Sequence, residues 1–202
     1  KQNGIQVGLG YLLSLTSQWD MRMEYNHNDY HTIHEYIGTD SYSYKPEFDR
    51  YTLGVDYNFD SAQIKFADSV MTSPFSGWYT GVDMGRDQAS SNINITTDSS
   101  TSQQDRSLRG YLGGVHVGYD WQVMQHALLG IEAFALAIST ETSYYSVSSI
   151  GYDVSTTDNK IREQNGFGLS LLPGYQLNQA SLLYASIGYI DAKFEKTGTG
   201  TD

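Results

Sequence analysis

The 202-residue sequence predicts an all-β fold: a closed, antiparallel, up-and-down transmembrane β-barrel of eight strands. Three observations lead there. Apolar and polar residues alternate through eight separate stretches, the period of a strand with two unlike faces. The polar face carries charge as well as glycine, which suits a lumen better than the core of a sandwich. The connections also alternate in length, as they do in membrane barrels with short turns on one side and long loops on the other.

Composition agrees with this class. Twenty Gly, 17 Tyr and only three Pro, with abundant Ser, Thr and Asn, describe strands and turns, and helix formers never cluster over a helix's length. No apolar run approaches the roughly 18 residues of a membrane-spanning helix. In a barrel only alternate residues meet lipid, so modest hydropathy is compatible with a membrane. The absence of Cys excludes disulfides, thiolate metal sites and cysteine catalysis. A net charge of −11 argues against nucleic-acid binding, which needs a basic surface. No cleavable signal peptide is visible at Lys1, the pattern expected of a mature or recombinant chain.

The stretches fall in order at roughly 4–13, 19–29, 50–59, 76–87, 108–121, 127–139, 161–177 and 182–195. In the first, Ile5, Val7, Leu9, Tyr11 and Leu13 oppose Gln6, Gly8 and Gly10. The second is the clearest: Trp19, Met21, Met23 and Tyr25 alternate with Asp20, Arg22 and Glu24. Three successive charges on one face of a strand imply solvent or an ion-paired lumen. In the third, Tyr51, Leu53, Val55, Tyr57 and Phe59 oppose Thr52, Gly54, Asp56 and Asn58. Val115, Val117, Tyr119 and Trp121 oppose His116, Gly118 and Asp120. Phe167, Leu169, Leu171, Tyr175 and Leu177 oppose Gly168, Ser170 and Gln176. Stretch 127–139 is ambiguous, because Phe134 and Leu136 share a parity with Glu132. Either aromatics enter the lumen there or a bulge changes face.

Short turns are expected at 14–18, 122–126 and 178–181, and long polar loops at 30–49, 88–107 and 140–160. The low-complexity loop 88–107 is expected to be mobile. Placing the short turns in the periplasm puts the loops and both chain termini outside the cell.

GWYTGVDMG (77–85), LLGIEAFA (128–135), GFGLSLLPGYQLNQASLLYASIGYIDAKF (166–194), IQVGLGYLLSLTSQWDMRMEYNHNDY (5–30) and YTLGVDYNF (51–59) together resemble the outer-membrane protein β-barrel family. These are the small porin-like and outer-membrane-protein-A-like eight-stranded barrels of Gram-negative bacteria. By that resemblance 77–85 is the opening strand, 128–135 the third, 166–194 the fourth hairpin, 5–30 the sixth and seventh strands, and 51–59 the eighth with its carboxy-terminal assembly signal. The order departs from the family: its strands 6–8 (1–59) come first, then a periplasmic connector (60–74), then its strands 1–5 (75–202). A circular permutation, a fragment of a tandem barrel and a chain order that does not follow the native one all account for this. Eight strands, each present once, favour the permutation, and termini that meet in a surface loop tolerate it.

Inward parity assigns Asp20, Arg22, Glu24, Asp56, Asp83, His116, Asp120 and Glu132 to a lumen ion-pair network. It either gates small ions or, more simply, satisfies a polar interior. Trp19, Trp78, Trp121, Tyr11, Tyr57, Tyr119 and Tyr175 lie near strand ends and read as bilayer-anchoring aromatics. His27, His31 and His34 are exposed loop histidines or, since some members of the resembled family bind haem, a metal or haem site. No metal and no cofactor is assigned. Ser41, Ser43 and the histidines supply the materials for a lipid-modifying enzyme, but no nucleophile motif marks them. The expected function is a structural or surface-interaction role through the loops, not enzymatic, with a narrow channel for ions or small solutes as the alternative. The expected partners are outer-membrane lipid, lipopolysaccharide, and an extracellular ligand or host surface. The chain is expected to be a monomer that binds no nucleic acid.

Overall fold

The computed structural model describes residues 2–37, 40–59, 73–97, 100–150 and 153–199, with side chains over 2–32, 47–59, 73–88, 109–139 and 165–193. Its strands are β1 (Gln2–Ser14), β2 (Trp19–Tyr30), β3 (Ile33–Ile37), β4 (Asp40–Asn58), β5 (Gly77–Thr97), β6 (Ser100–Gln122), β7 (Ala127–Ile150), β8 (Asp153–Asn178) and β9 (Ser181–Thr199). Neighbours pair antiparallel in the order β2-β1-β9-β8-β7-β6-β5-β4-β3, and β2 also pairs with β4. That last pairing runs from Trp19↔Tyr57 to Asp29↔Glu47 and closes the sheet into a barrel. β3 continues β2 past a break at His31 and Thr32 and pairs with the far part of β4. The wall therefore has eight strands.

Closure follows from the solvent. Hydrocarbon offers no partner for a backbone N–H or C=O, so a spanning sheet must leave no edge. With alternation of side chains, closure sends one face of every strand to lipid. Ile5, Val7, Leu9, Leu53, Val82, Val115, Leu169, Leu171 and Ile187 are all exposed on the outside, an unusual surface in water and the ordinary one in a bilayer.

Three tight turns lie at one end of the barrel. Between β1 and β2, Leu15 and Thr16 donate their amides to the Trp19 carbonyl. The Thr16 hydroxyl accepts from the amides of Gln18 and Trp19. Val123 closes the β6–β7 turn onto Ala127, and the Asn178 side chain accepts the Ala180 amide between β8 and β9. β4 ends and β5 begins at this same turn end. Gly77 enters β5 with φ of 123°, a conformation that favours glycine, and Phe75 just before it is buried in the mouth of the lumen. The connector expected at 60–74 lies outside the described residues except for Ser73 and Pro74. Gln2 pairs with Ala192, so β1 starts beside the outgoing β9 at the opposite, hairpin end, and β9 runs on to Thr199 paired with β8.

The long connections differ from expectation. The described residues of 88–107 and 140–160 are paired strands rather than loops: β5 and β6 pair from Gly77↔Asp120 to Thr97↔Ser100, and β7 and β8 continue to Ile150↔Asp153. Within 30–49, β4 begins at Asp40 and pairs with β3 and β5. Segments such as NINITT and SYYSV put Ile, Val, Thr and Tyr into runs without Gly or Pro. Residues of this kind, β-branched and aromatic, favour a strand, which outweighs the loop-like polarity of the rest of each segment.

β7 resolves its ambiguity by admitting aromatics. Glu132 is buried, Phe134 and Leu136 pack inside, and the register shifts only later, between Ala137 and Thr140. Ile187, outward at mid-height on β9 and opposite Val7, gives the membrane reading a direct check. Ile187→Arg should lower unfolding free energy in lipid vesicles by about 2–4 kcal/mol, and Ser139→Arg near the hairpin end by at most about 1 kcal/mol, as read by urea titration.

Candidate functional site in the barrel lumen

Arg22 on β2 is 3% exposed and is the hub of the lumen. Its Nε donates to Asp56 Oδ2 at 3.0 Å and its Nη1 to Glu132 Oε2 at 2.7 Å. Nη2 lies 2.9 Å from Asp56 Oδ2 and Nη1 3.6 Å from Glu24 Oε2. Carboxylates from three strands thus converge on one planar cation, a task for which its fixed fork of donors is suited.

His116 on β6 extends the cluster. Its Nε2 lies 2.9 Å from Asp56 Oδ1 and its Nδ1 2.7 Å from Asp83 Oδ2, so the ring bridges two carboxyls. Gly81 and Gly54 make room: a Cβ on Gly81 would come within 2.3 Å of His116 Nε2, and one on Gly54 within 2.0 Å of Asp83 Oδ1. Asp20 accepts from Asn58 Nδ2 at 2.8 Å. Asp120 packs over Gly130. All eight residues assigned to the lumen face inward, but they do not form one evenly paired network. Asp20, Glu24, Asp56, Asp83, Asp120 and Glu132 face one guanidinium and one imidazole.

Two tyrosines complete the cluster. Tyr79 Oη donates to Glu132 Oε2 at 2.9 Å, and Tyr184 Oη donates to Glu24. Both rings also flank the guanidinium, at 5.3 Å and 5.6 Å from Arg22 Cζ. Each ring lies over a glycine of the adjacent strand. Tyr79 pairs with Gly118 and Tyr184 with Gly10, where an added Cβ would stand 2.3 Å and 2.0 Å from the rings.

Apolar layers sit on either side of the ions. At the turn end Leu12, Phe75, Leu128, Leu172 and Leu182 pack with the two tyrosines. Toward the hairpin end Tyr30, Phe48, Ile190 and Ala192 form a second cluster with Phe134 and Leu136. There Arg50 Nε donates to Asp87 Oδ1 at 3.1 Å, with both groups buried.

Alternation alone does not mark these additional residues. Arg50 and Asp87 share the inward parity of Asp56 and Asp83 but stand at the outermost positions of their stretches. For Tyr79 and Tyr184 the missing signal is pairing: a large aromatic opposite a glycine, visible only once register is known.

The seven aromatics expected at strand ends lie on the outer face, all of them at the turn end. Trp19 packs on Tyr57 at 5.0 Å, Trp78 on Tyr119 at 5.1 Å and Tyr119 on Trp121 at 4.7 Å. Tyr11 Oη and Ser181 Oγ are 2.8 Å apart, and Tyr175 stands near the His126 ring. The girdle at the hairpin end is made by other residues, Tyr25, Tyr51, Tyr111 and Tyr189. Beyond it the outer face turns polar: Asp49 Oδ1 accepts from Tyr25 Oη at 2.8 Å and from His27 Nδ1 at 2.9 Å. Burial there acts to raise the Asp49 pKa, but hydrogen bonds from His27 and Tyr25 outweigh it and hold it below the usual carboxylate value.

His27 is thus held by Asp49, whereas His31 Nδ1 is 2.9 Å from the Asn3 carbonyl. The side chain of His34, like those of Ser41 and Ser43, lies outside the described residues. Among the described residues no three His, Asp or Glu side chains are placed to hold a metal ion.

Residues 64–202 match the family described as the outer membrane protein beta-barrel domain. The chain belongs to that family. No curated protein matches the chain. One similar solved structure is the beta domain of the Bordetella autotransporter BrkA, at 7% identity, covering 93% of this chain and 98% of that chain with a TM-score of 0.32. As an outer membrane β-barrel, the protein keeps its ionic cluster inside the bilayer-spanning wall, where an uncompensated charge is costly. Arg22→Ala should therefore destabilise the barrel by about 3–5 kcal/mol, because Asp56 and Glu132 lose their shared cation. Urea unfolding in vesicles checks the value, and Arg22→Lys should recover part of the loss without the bidentate geometry.

Proposed function

We propose that this barrel is a plugged membrane scaffold that holds its long β-hairpins outside the cell, where they meet an extracellular ligand or surface, and that it performs no catalysis. The observation that carries this reading is the filled lumen. Arg22 and its carboxylates occupy the middle of the cross-section, the Leu12–Phe75–Leu172 layer closes the turn end, and Phe48 with Ile190 closes the other. An eight-stranded wall encloses little more than such side chains. The orientation follows from the connections, since outer-membrane barrels place tight turns in the periplasm and long segments outside.

The permuted strand order belongs to the same proposal. The family match begins at residue 64, beyond YTLGVDYNF, and covers the strands that would come first in the native order. β1 and β9 are adjacent at the hairpin end, so a surface loop could once have joined them. β4 and β5 are adjacent at the turn end, where a connector replaces the native termini.

One observation favours a second reading, a narrow cation path: carboxyls outnumber cations in the lumen. Planar-bilayer recording separates the two. The purified barrel should give no conductance steps, while Leu12→Ala combined with Phe75→Ala and Leu172→Ala should open measurable ones. Discrete cation-selective steps from the unaltered chain would establish the channel instead. For the orientation, an epitope inserted between Thr97 and Ser100 should be reached by antibody on intact cells. Its protection until the outer membrane is permeabilised would reverse the assignment.

A further inference from the structure

Among the described residues, charge on the lipid-facing parity is confined to the hairpin end, and there the two signs are not evenly mixed. On β5 the outward series Trp78, Val82 and Met84 gives way to Arg86. On β6 the series Trp121, Tyr119, Val117 and Val115 leads to Tyr111 and Arg109, both exposed. Arg86 pairs with Tyr111 and Arg109 with Gln88, so the two arginines are diagonal neighbours, roughly 7–8 Å apart near their Cβ atoms. Arg86 Nη2 donates to Tyr111 Oη at 3.3 Å with its guanidinium 5.5 Å from the ring centre.

Neither guanidinium has a carboxylate partner among the described residues. The nearest acidic side chain on β4, Asp49, is engaged by Tyr25 and His27. In a chain of net charge −11, two neighbouring cations with no acid between them among the described residues repel each other, and packing does not require them, because their heads are outside. Their height is informative. They stand just past the apolar belt, level with lipid headgroups, above Val82, Met84 and Val115 that would lie against acyl chains.

We propose that Arg86 and Arg109, with the Tyr111 hydroxyl, bind a phosphate group of lipid A, the phosphorylated glycolipid anchor of lipopolysaccharide in the outer leaflet. Guanidinium forks match phosphate oxygens, and charge-assisted hydrogen bonds of this kind are the strong ones. This assignment rests on the outward orientation of the hairpins proposed above. In the opposite orientation the same chemistry would meet a glycerophospholipid.

The test is a titration of the folded barrel in detergent against lipid A carrying both phosphates, lipid A stripped of them, and phosphatidylglycerol, followed by native mass spectrometry. The double variant Arg86→Ala/Arg109→Ala should bind bisphosphorylated lipid A about tenfold more weakly and dephosphorylated lipid A as the parent does. Lys193→Ala, at the rim on β9, should leave both affinities unchanged. Because both sites are exposed, heat-modifiable migration in gels should show the double variant folded. Equal binding of bisphosphorylated lipid A by the parent and the double variant would overturn the proposal. So would an arginine-dependent preference for phosphatidylglycerol. Hairpins reached only from the periplasm, with lipid A binding still arginine-dependent, would refute the orientation and leave the phosphate site standing.

Discussion

The pairing of β2 with β4 is the contact on which the other features depend. Without it the sheet has two open edges in hydrocarbon, where each unpaired backbone group costs several kcal/mol. With it, strand number and alternation fix an interior just wide enough for side chains to fill. The composition of the lumen follows from that dimension.

The interior is filled by two devices that depend on each other. Ion pairing around Arg22 neutralises part of the charge that the inward face carries, and apolar layers above and below exclude water from those pairs. A buried pair in low dielectric gains from its partners only when geometry and further hydrogen bonds compensate the loss of hydration. Tyr79 and Tyr184 provide both services: their hydroxyls reach Glu132 and Glu24, and their rings cover Gly118 and Gly10 while flanking the guanidinium. The glycines are as necessary as the charges, because a Cβ at either position would collide with the ring. Cohesion of the plug therefore lies in cross-strand pairs rather than in any one strand.

Much of this was legible in the sequence because a strand's faces are written at period two. Asp20, Arg22 and Glu24 against Trp19, Met21 and Met23 identify the inner and outer faces without any fold. The placement of the tight turns was legible for a similar reason: their spacing is local. What depended on register was not. The aromatic–glycine pairs, the Arg50–Asp87 pair and the second girdle of Tyr25, Tyr51, Tyr111 and Tyr189 need the offset between strands, which no single stretch contains. The long hairpins escaped for another reason. Ser, Thr and Asn signal contact with water, and an exposed antiparallel ladder satisfies that signal as well as a loop does.

Closure can be read out in a chain that has no cysteine of its own. Met23 and Leu53 are partners across the β2–β4 seam, and partners in an antiparallel ladder stand about 4.5–5.5 Å apart at Cα, within disulfide reach. Met23→Cys with Leu53→Cys should form an intramolecular disulfide under mild oxidation in the folded barrel, while Met23→Cys with Thr52→Cys, which points to the other face, should not. Disulfides that link two chains, or a bridge formed as readily with Thr52→Cys, would mean that β2 and β4 do not close the barrel in this register.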